Sequence, residues 1–343
     1  MGSKILRQGD RYKAKLEKTL ADGKVTKQEA TAILRDAKDG TFRQVEAHYL
    51  SGFVGLDTRK FDPEAHARLL AFVKTEMVAF AEIAGDTGLP IPRAKPKLTE
   101  DSEKKGVTFK PKEGALTVDG IGADDALQGN VGNCYLIAGL ASVAKVKPEV
   151  LAKNLVANRD GSYTVTFYER KEGQPRATPV KVTVDGTFAH RGSMLEYGSA
   201  RSTKELWPLI YEKAYAAWKG SFTAIEGGMS ATTLEALTGK KPGFFPVDDA
   251  LGADHVWKQL ERVSNASTAV VALSKPWNPR QGMVEDHAYS VLGISEKNGE
   301  RFVTLRNPWG ETEPGRDGRN DGIFTMKLAD FLEAFATVEF AKL

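Results

Sequence analysis

The stretch LQGNVGNCYLIAGLASVAK, residues 127–145, reads as a tight turn opening into a helix. Gly129 and Gly132 let the chain reverse sharply just before Cys134. Apolar residues then recur at Leu136, Ile137, Leu140 and Val143, one face for burial, so the spacing predicts a helix over 134–145 with Cys134 in its first turn. Cys134 is the one cysteine among 343 residues, which excludes an internal disulfide and any multi-cysteine metal site. A lone cysteine is ordinarily a small apolar filler. At a helix N-terminus, however, unpaired N–H groups and the helix dipole favour the thiolate, the nucleophilic form.

A second signal lies near the C-terminus. HAYSVLGISEKNGERFVTLRNPW, from His287, is a hairpin with Asn298-Gly299 at its turn. Folding there brings His287 and Asn307 to the same open end. Side chains alternate along a strand, so His287 goes with Tyr289 and Val291, and Asn307 with Val303 and Leu305. If both apolar sets face the core, the imidazole and the carboxamide are neighbours. The amide oxygen would then fix the ring's tautomer and leave its other nitrogen to take a thiol proton. A capping histidine beside a turn asparagine is the plainer alternative. Gln128 could donate to a developing oxyanion together with the Cys134 N–H.

The remaining totals are ordinary for a globular chain: 41% hydrophobic, 27% charged and a net charge of +3. Lys and Arg are interspersed with Asp and Glu, so no nucleic-acid partner is expected. The five histidines lack zinc-site spacing. No eighteen-residue apolar run and no apolar signal core are visible, which predicts a cytoplasmic protein without a membrane span; an unrecognised export route stays open.

Along the chain, residues 1–87 read as a small all-helical domain. Thr26 and Glu29 form a capping box ahead of the stripe Ala30, Ile33, Leu34 and Ala37; Thr41 and Gln44 repeat the device, and a last helix spans roughly 63–84. ADGKVTKQE resembles the back half of a calcium-binding loop, but Lys18 and Leu20 stand where acidic ligands are needed, so it is read as a turn. Residues 88–106 form a Pro- and charge-rich linker. Residues 107–219 form a mainly helical unit carrying the candidate nucleophile, interrupted by a strand pair, and 220–343 form a β-rich unit carrying His287 and Asn307.

Taken together, QGNVGNCYLIAGL, DHAYSVLGI and RNPWG resemble the cysteine, histidine and asparagine motifs of calpains. KELWPLIYEKAYAAWKGSFTAIEGGMSATTLEALTG and the closing DGIFTMKLADFLEAFATVEFAKL resemble further calpain blocks, in the family's order, over about 113–343. The resemblance implies an α+β fold: a papain-like two-lobed cysteine protease core, helical lobe plus antiparallel β lobe, behind the all-α N-terminal domain. It implies peptide-bond hydrolysis through a thioester, with Cys134 as nucleophile, His287 as base, Asn307 as its orienter and Gln128 in the oxyanion site. Trp309 would shield the His–Asn pair, and Gly228 would meet the substrate in the cleft. Asp286 stands where calpains have a glycine, and its side chain would narrow the cleft or add charge. Asn133 and Tyr135 replace the usual Asp and Trp beside the cysteine.

The resemblance also implies calcium, and no organic cofactor. The first-lobe positions are Val118 and Gly120, through backbone oxygens, with Asp125 and Glu205. In the second lobe Glu313 and Asp321 match, but the segment after Gly310 is short and Ile323 replaces an expected carboxylate. The alternatives are a catalytically silent peptide-binding relative and an acyl transferase of transglutaminase type. Protein substrates are the expected partners, with the N-terminal helices as a regulatory or autoinhibitory module.

Overall fold

The computed structural model describes residues 12–21, 23–37, 50, 53–54, 58–79, 95–171, 173–264, 267–277, 280–314 and 318–343. The Thr41–Gln44 capping box, Asp22 and residues 88–94 of the expected linker lie outside them.

The N-terminal part packs α1 (Lys27–Ala37) against α2 (Pro63–Ala79). The capping box forms: the Thr26 N–H donates to the Glu29 carboxylate at 2.8 Å, and the Glu29 N–H to the Thr26 hydroxyl at 3.3 Å. Its core gathers Leu16, Val25, Ile33, Phe53, Phe61, Leu69 and Val73. The same core takes in Met229 and Ala231 from far along the chain, with Phe244 and Trp277 packed against it.

From residue 95 onward the expected linker is already folded. Thr99 caps α3 (Glu100–Lys104) through Ser102, and its own N–H donates to the Tyr197 hydroxyl at 3.0 Å. Anchorage on a distant tyrosine explains why local periodicity gave no sign of it.

The next core is built around α4 (Cys134–Val146) and α5 (Pro148–Asn154), with α6 (Trp207–Lys219) and α7 (Ser230–Thr238). Pro148 cannot continue α4 and instead opens α5. Gly220, at φ +97°, closes α6 in the left-handed conformation. Eight short strands join them: β1 (Thr108–Pro111), β2 (Ala126–Leu127), β3 (Leu155–Ala157), β4 (Tyr163–Glu169), β5 (Thr178–Val184), β6 (Thr187–Arg191), β7 (Met194–Leu195) and β8 (Ser199–Ala200). They pair as β1-β6-β7, β3-β4-β5 and β2-β8.

The last part is a six-stranded antiparallel sheet in the order β13-β12-β11-β10-β14-β9. Its strands are β9 (Pro242–Pro246), β10 (Thr268–Ser274), β11 (Ala288–Lys297), β12 (Glu300–Arg306), β13 (Ile323–Lys327) and β14 (Phe335–Lys342); α8 (Ala253–Val263) and α9 (Leu328–Ala334) cover one face. β10 is buried along its whole length. Its alternation serves two cores at once: Ala269, Val271 and Leu273 face α4, while Val270 and Ala272 face the far side with Tyr289, Val291 and Val338.

Apolar on all sides, α4 is buried except at its ends, as a central helix must be. Two hydroxyls stitch it to the sheet. Ser290 donates to the Ala138 carbonyl at 2.9 Å, and Ser142 donates to the Val270 carbonyl at 2.7 Å. These bonds set the register of helix on sheet. Four residues back from Ala138 is Cys134, about 6 Å along the axis; two residues back from Ser290 is Ala288, about 6.8 Å along the strand. The helix start therefore arrives at the strand start.

Candidate active site

Cys134 is half-buried, and the N–H of Ala288, the residue after His287, bonds to its sulfur. Burial pushes the thiol up to about 11; the Asp286 carboxylate adds to the rise, and the N–H groups of Ala288, Tyr135 and Cys134 itself act against it. The helix N-terminus thus works in the expected direction, but desolvation outweighs it. Left to itself this thiol is protonated at neutral pH, so the site needs a proton acceptor.

His287, 4% exposed, supplies a ring in a fixed orientation. Its Nε2 lies 2.9 Å from Oδ1 of the fully buried Asn307. Two further bonds orient that amide: Asn307 Nδ2 donates to the Thr312 carbonyl at 2.8 Å, and the Trp309 N–H donates to Oδ1 at 3.1 Å. Oδ1 can only accept, so Nε2 carries the hydrogen and Nδ1 is the bare nitrogen of the neutral ring. Tyr289 meets the imidazole edge-on at 5.0 Å, and Trp309 covers it at 4.9 Å while remaining partly exposed. The Ser274 hydroxyl accepts the His287 N–H at 2.9 Å.

Gln128 lies across the junction of the two lobes. Its backbone N–H donates to the Pro308 carbonyl at 2.9 Å, and its Nε2 to the Val131 carbonyl at 2.8 Å. That bond occupies one of two amide hydrogens and leaves the other. Arg306, next to Asn307, spans the same junction and donates to the carbonyls of Asp124 at 3.0 Å and Ala126 at 2.7 Å.

Two flanking positions have structural reasons of their own. Asp286 has φ +53°, a conformation that glycine adopts freely and Asp tolerates, which accounts for a glycine there in the resembled family. Any Cβ on Gly228 would fall 2.4 Å from the Tyr135 ring, so glycine is required by packing. The neighbouring Gly227 N–H donates to the Gly132 carbonyl at 2.8 Å and ties this wall to the nucleophile's turn.

The candidate metal site joins the segment 118–125 to Glu205, eighty residues further along the chain. Carboxylate oxygens of Asp119, Asp125 and Glu205 lie within 4.8 Å of one another. Asp119, between the two backbone donors named from the sequence, is an addition to the expected set. Glu205 Oε1 accepts the Val118 N–H at 3.1 Å, while its Oε2 is buried with no hydrogen-bond partner. Asp125 Oδ2 accepts from Gly122 N–H at 2.6 Å and Trp207 Nε1 at 3.1 Å. Burial and mutual repulsion raise both carboxyl groups above their ordinary range. An orphaned buried carboxylate oxygen among hard oxygen donors fits a divalent cation. Around Glu313 and Asp321 no such cluster forms among the described residues. Asp321 instead turns its side chain onto the Ile323 N–H at 3.0 Å, and its carbonyl accepts Arg201 at 3.0 Å.

A thiol, an oriented imidazole and amide donors around one turn are groups that could carry acyl transfer to sulfur. The chain belongs to the calpain family: the model for "Calpain family cysteine protease" matches residues 102–317. It is 29% identical to mouse Calpain-8 over 288 residues, covering 71% of this chain and 39% of that protein. It is 28% identical to the human Calpain-2 catalytic subunit over 290 residues, 71% and 39% of the two chains. A "Thiol protease" of Porphyromonas gingivalis is 26% identical over 270 residues, 62% of this chain and 53% of the other. The chain thus spans well under two thirds of these relatives' length. Among the described residues no helix is long and apolar enough to cross a membrane.

Proposed function

We propose that the protein is a calpain-like cysteine endopeptidase that cleaves extended protein segments. The observation that carries this reading is the His287–Asn307 bond of 2.9 Å at the start of the strand whose next N–H touches the Cys134 sulfur. Nδ1 of His287 takes the thiol proton as sulfur attacks the scissile carbonyl carbon. The oxyanion is met by the Cys134 N–H and the spare Gln128 hydrogen. Collapse expels the amine, which leaves with the proton from Nδ1, and a thioester remains. Water attacks the thioester, gives its proton to Nδ1, and the acid departs as the thiol re-forms. Asn307 holds the ring throughout, and Gly228 and Asp286 border the cleft. Incubation with casein, with and without calcium, tests the reading: fragments should appear with wild type, and no fragmentation under either condition overturns it. A lone nucleophilic thiol suits a reducing compartment, so we place the enzyme inside the cell.

Calcium would be held by Asp119, Asp125 and Glu205 with the Val118 and Gly120 carbonyls, supplying the positive charge this cluster lacks. Arg306 grips the carbonyls of Asp124 and Ala126 beside it, so order in this loop favours the Gln128 and Asn307 geometry. The raised carboxyl groups give the sign of the pH effect. Their contribution to stability is present when protonated and is lost as pH rises through the raised folded values. Calcium should therefore raise Tm at pH 7, by the equivalent of about 2.7 kcal/mol at a hundredfold excess over Kd, and progressively less as the carboxyls protonate. Glu205→Gln should remove most of that shift, as read by scanning calorimetry; an equal shift in the variant would rule the site out.

The N-terminal helices suit a regulatory module that grips one wall of the cleft. Met229, one residue past Gly228, is buried in their core, and Trp277, in the segment leading to His287, packs on Phe53 at 6.4 Å. Trp277→Ala should loosen this docking, with faster hydrogen exchange in residues 58–73 and slower peptide hydrolysis. Unchanged exchange would show that the docking does not depend on this ring.

A further inference from the structure

Asn133 occupies the N-cap position of α4, yet its side chain caps nothing. An asparagine there ordinarily turns its oxygen onto the N–H of the second or third helical residue, here Tyr135 or Leu136. The Leu136 N–H is taken by the Asn133 backbone carbonyl at 2.9 Å, and the Tyr135 N–H points at the Cys134 sulfur. The Asn133 amide is drawn inward instead: Nδ2 donates to Glu212 Oε1 at 2.8 Å, and Oδ1 is buried with no partner.

Glu212, on α6, is 2% exposed. Its other oxygen accepts the Gly198 N–H at 2.8 Å. A Cβ on Gly198 would lie 2.9 Å from that carboxylate, so this glycine leaves room for it. The turn around Gly198 also lies beneath the other end of the nucleophile's loop. The Tyr197 carbonyl sits 2.2 Å from where a Gly129 Cβ would be, and the Asn130 N–H donates to the Glu196 carbonyl at 2.9 Å. One buried side chain thus ties the turn beneath the loop to Asn133 and draws the Asn133 amide away from the helix start.

We propose that Glu212 is a positioning residue that keeps the Asn133 amide off the first turn of α4, reserving the Tyr135 N–H for the sulfur. The proposal rests on the peptidase reading but is readable without it. Burial lifts the Glu212 carboxyl to about 7, against the bonds from Asn133 and Gly198. A neutral isostere therefore suits the site: glutamine at 212 can accept from Gly198 and donate to the orphaned Asn133 oxygen after an amide flip.

Alanine at 212 would free Asn133 to cap its own helix and compete for the Tyr135 N–H. The test compares Glu212→Gln, Glu212→Ala and Glu212→Ala/Asn133→Ala in the full chain. The readouts are casein or peptide hydrolysis and the rate at which iodoacetamide alkylates Cys134. Glu212→Ala should lower kcat by about 10-fold, through a less stabilised thiolate, with KM within about twofold. Alkylation should slow in parallel. Glu212→Gln should stay within about threefold of wild type, and removing the freed amide in the double variant should restore part of kcat. Glutamine as damaging as alanine, or a double variant no better than the single, overturns the proposal. Should Glu212→Ala fail to fold, Glu212→Gln decides through both readouts: a loss of more than about threefold in hydrolysis and in alkylation overturns the proposal. If wild type cleaves nothing, the alkylation series still tests the positioning role, and the peptidase reading fails separately.

Discussion

Cys134→Ala is expected to abolish casein cleavage, by at least about a thousandfold, the order seen when the nucleophile of an acyl-transfer enzyme is removed. The sulfur is the only atom in the turn able to form the thioester, and as the sole cysteine it has no substitute elsewhere. The variant should fold. The side chain is half-buried and loses one atom, its bond from the Ala288 N–H is a weak sulfur contact, and the helix it starts is held by Ser142 and Ser290 at other turns. Thermal unfolding should therefore shift by only a few degrees, and mass spectrometry after iodoacetamide should show one adduct on wild type and none on the variant. Cleavage within tenfold of wild type would sink the assignment of the nucleophile and, with it, the mechanism. This variant also separates the active enzyme from a silent peptide-binding relative, which would lose nothing.

His287→Ala should be nearly as damaging, for a reason the site's electrostatics supply. The thiol is pushed up to about 11 by burial, with Asp286 contributing in the same direction. With no imidazole to take its proton, the buried thiol would stay largely protonated at pH 7. The alkylation rate of the variant should climb as pH rises above neutrality, whereas wild type should react at neutral pH. Turnover should fall by about 10²- to 10⁴-fold, the usual contribution of a general base. A variant whose Cys134 alkylates at neutral pH as fast as wild type would mean that the helix N-terminus alone activates the sulfur. Asn307 acts only by holding the ring, so its loss should cost less and leave the pH profile of alkylation closer to that of wild type.

Much of this site was readable from local chemistry. The glycine-rich turn, the apolar stripe of α4, the buried run of β10 and the Asn298-Gly299 turn each announce an element through forces acting within a few residues. The neighbourhood of His287 and Asn307 was read correctly from the apolar sets, but not from turn counting. Lys297 pairs with Glu300 at the turn, and an unbroken ladder from there would put Asn307 opposite Ser290 and on the wrong face for His287. The register shifts between Val291 and Gly293, so that Ser290 pairs with Arg306 and Asn307 joins the face of Tyr289 and His287. The trace of that bulge is a change of phase: Tyr289 and Val291 face the core, then Ile294 does. Asp119 could have been found by its place between Val118 and Gly120. Glu212 could not: an acidic residue within an apolar helix reads as solvent-facing until its partners are known.

The chain's own letters determined which groups could do chemistry and which local shapes present them: a thiol at a helix start, an imidazole and a carboxamide at the ends of a hairpin. What brought them together was tertiary. The seating of α4 on β10 and β11 rests on hydroxyl bonds between residues more than a hundred positions apart, which no local propensity encodes. The same packing buried the sulfur and reversed the ionisation expected of it, because the cost of desolvating an anion is set by what surrounds the helix end and exceeds what the helix dipole returns.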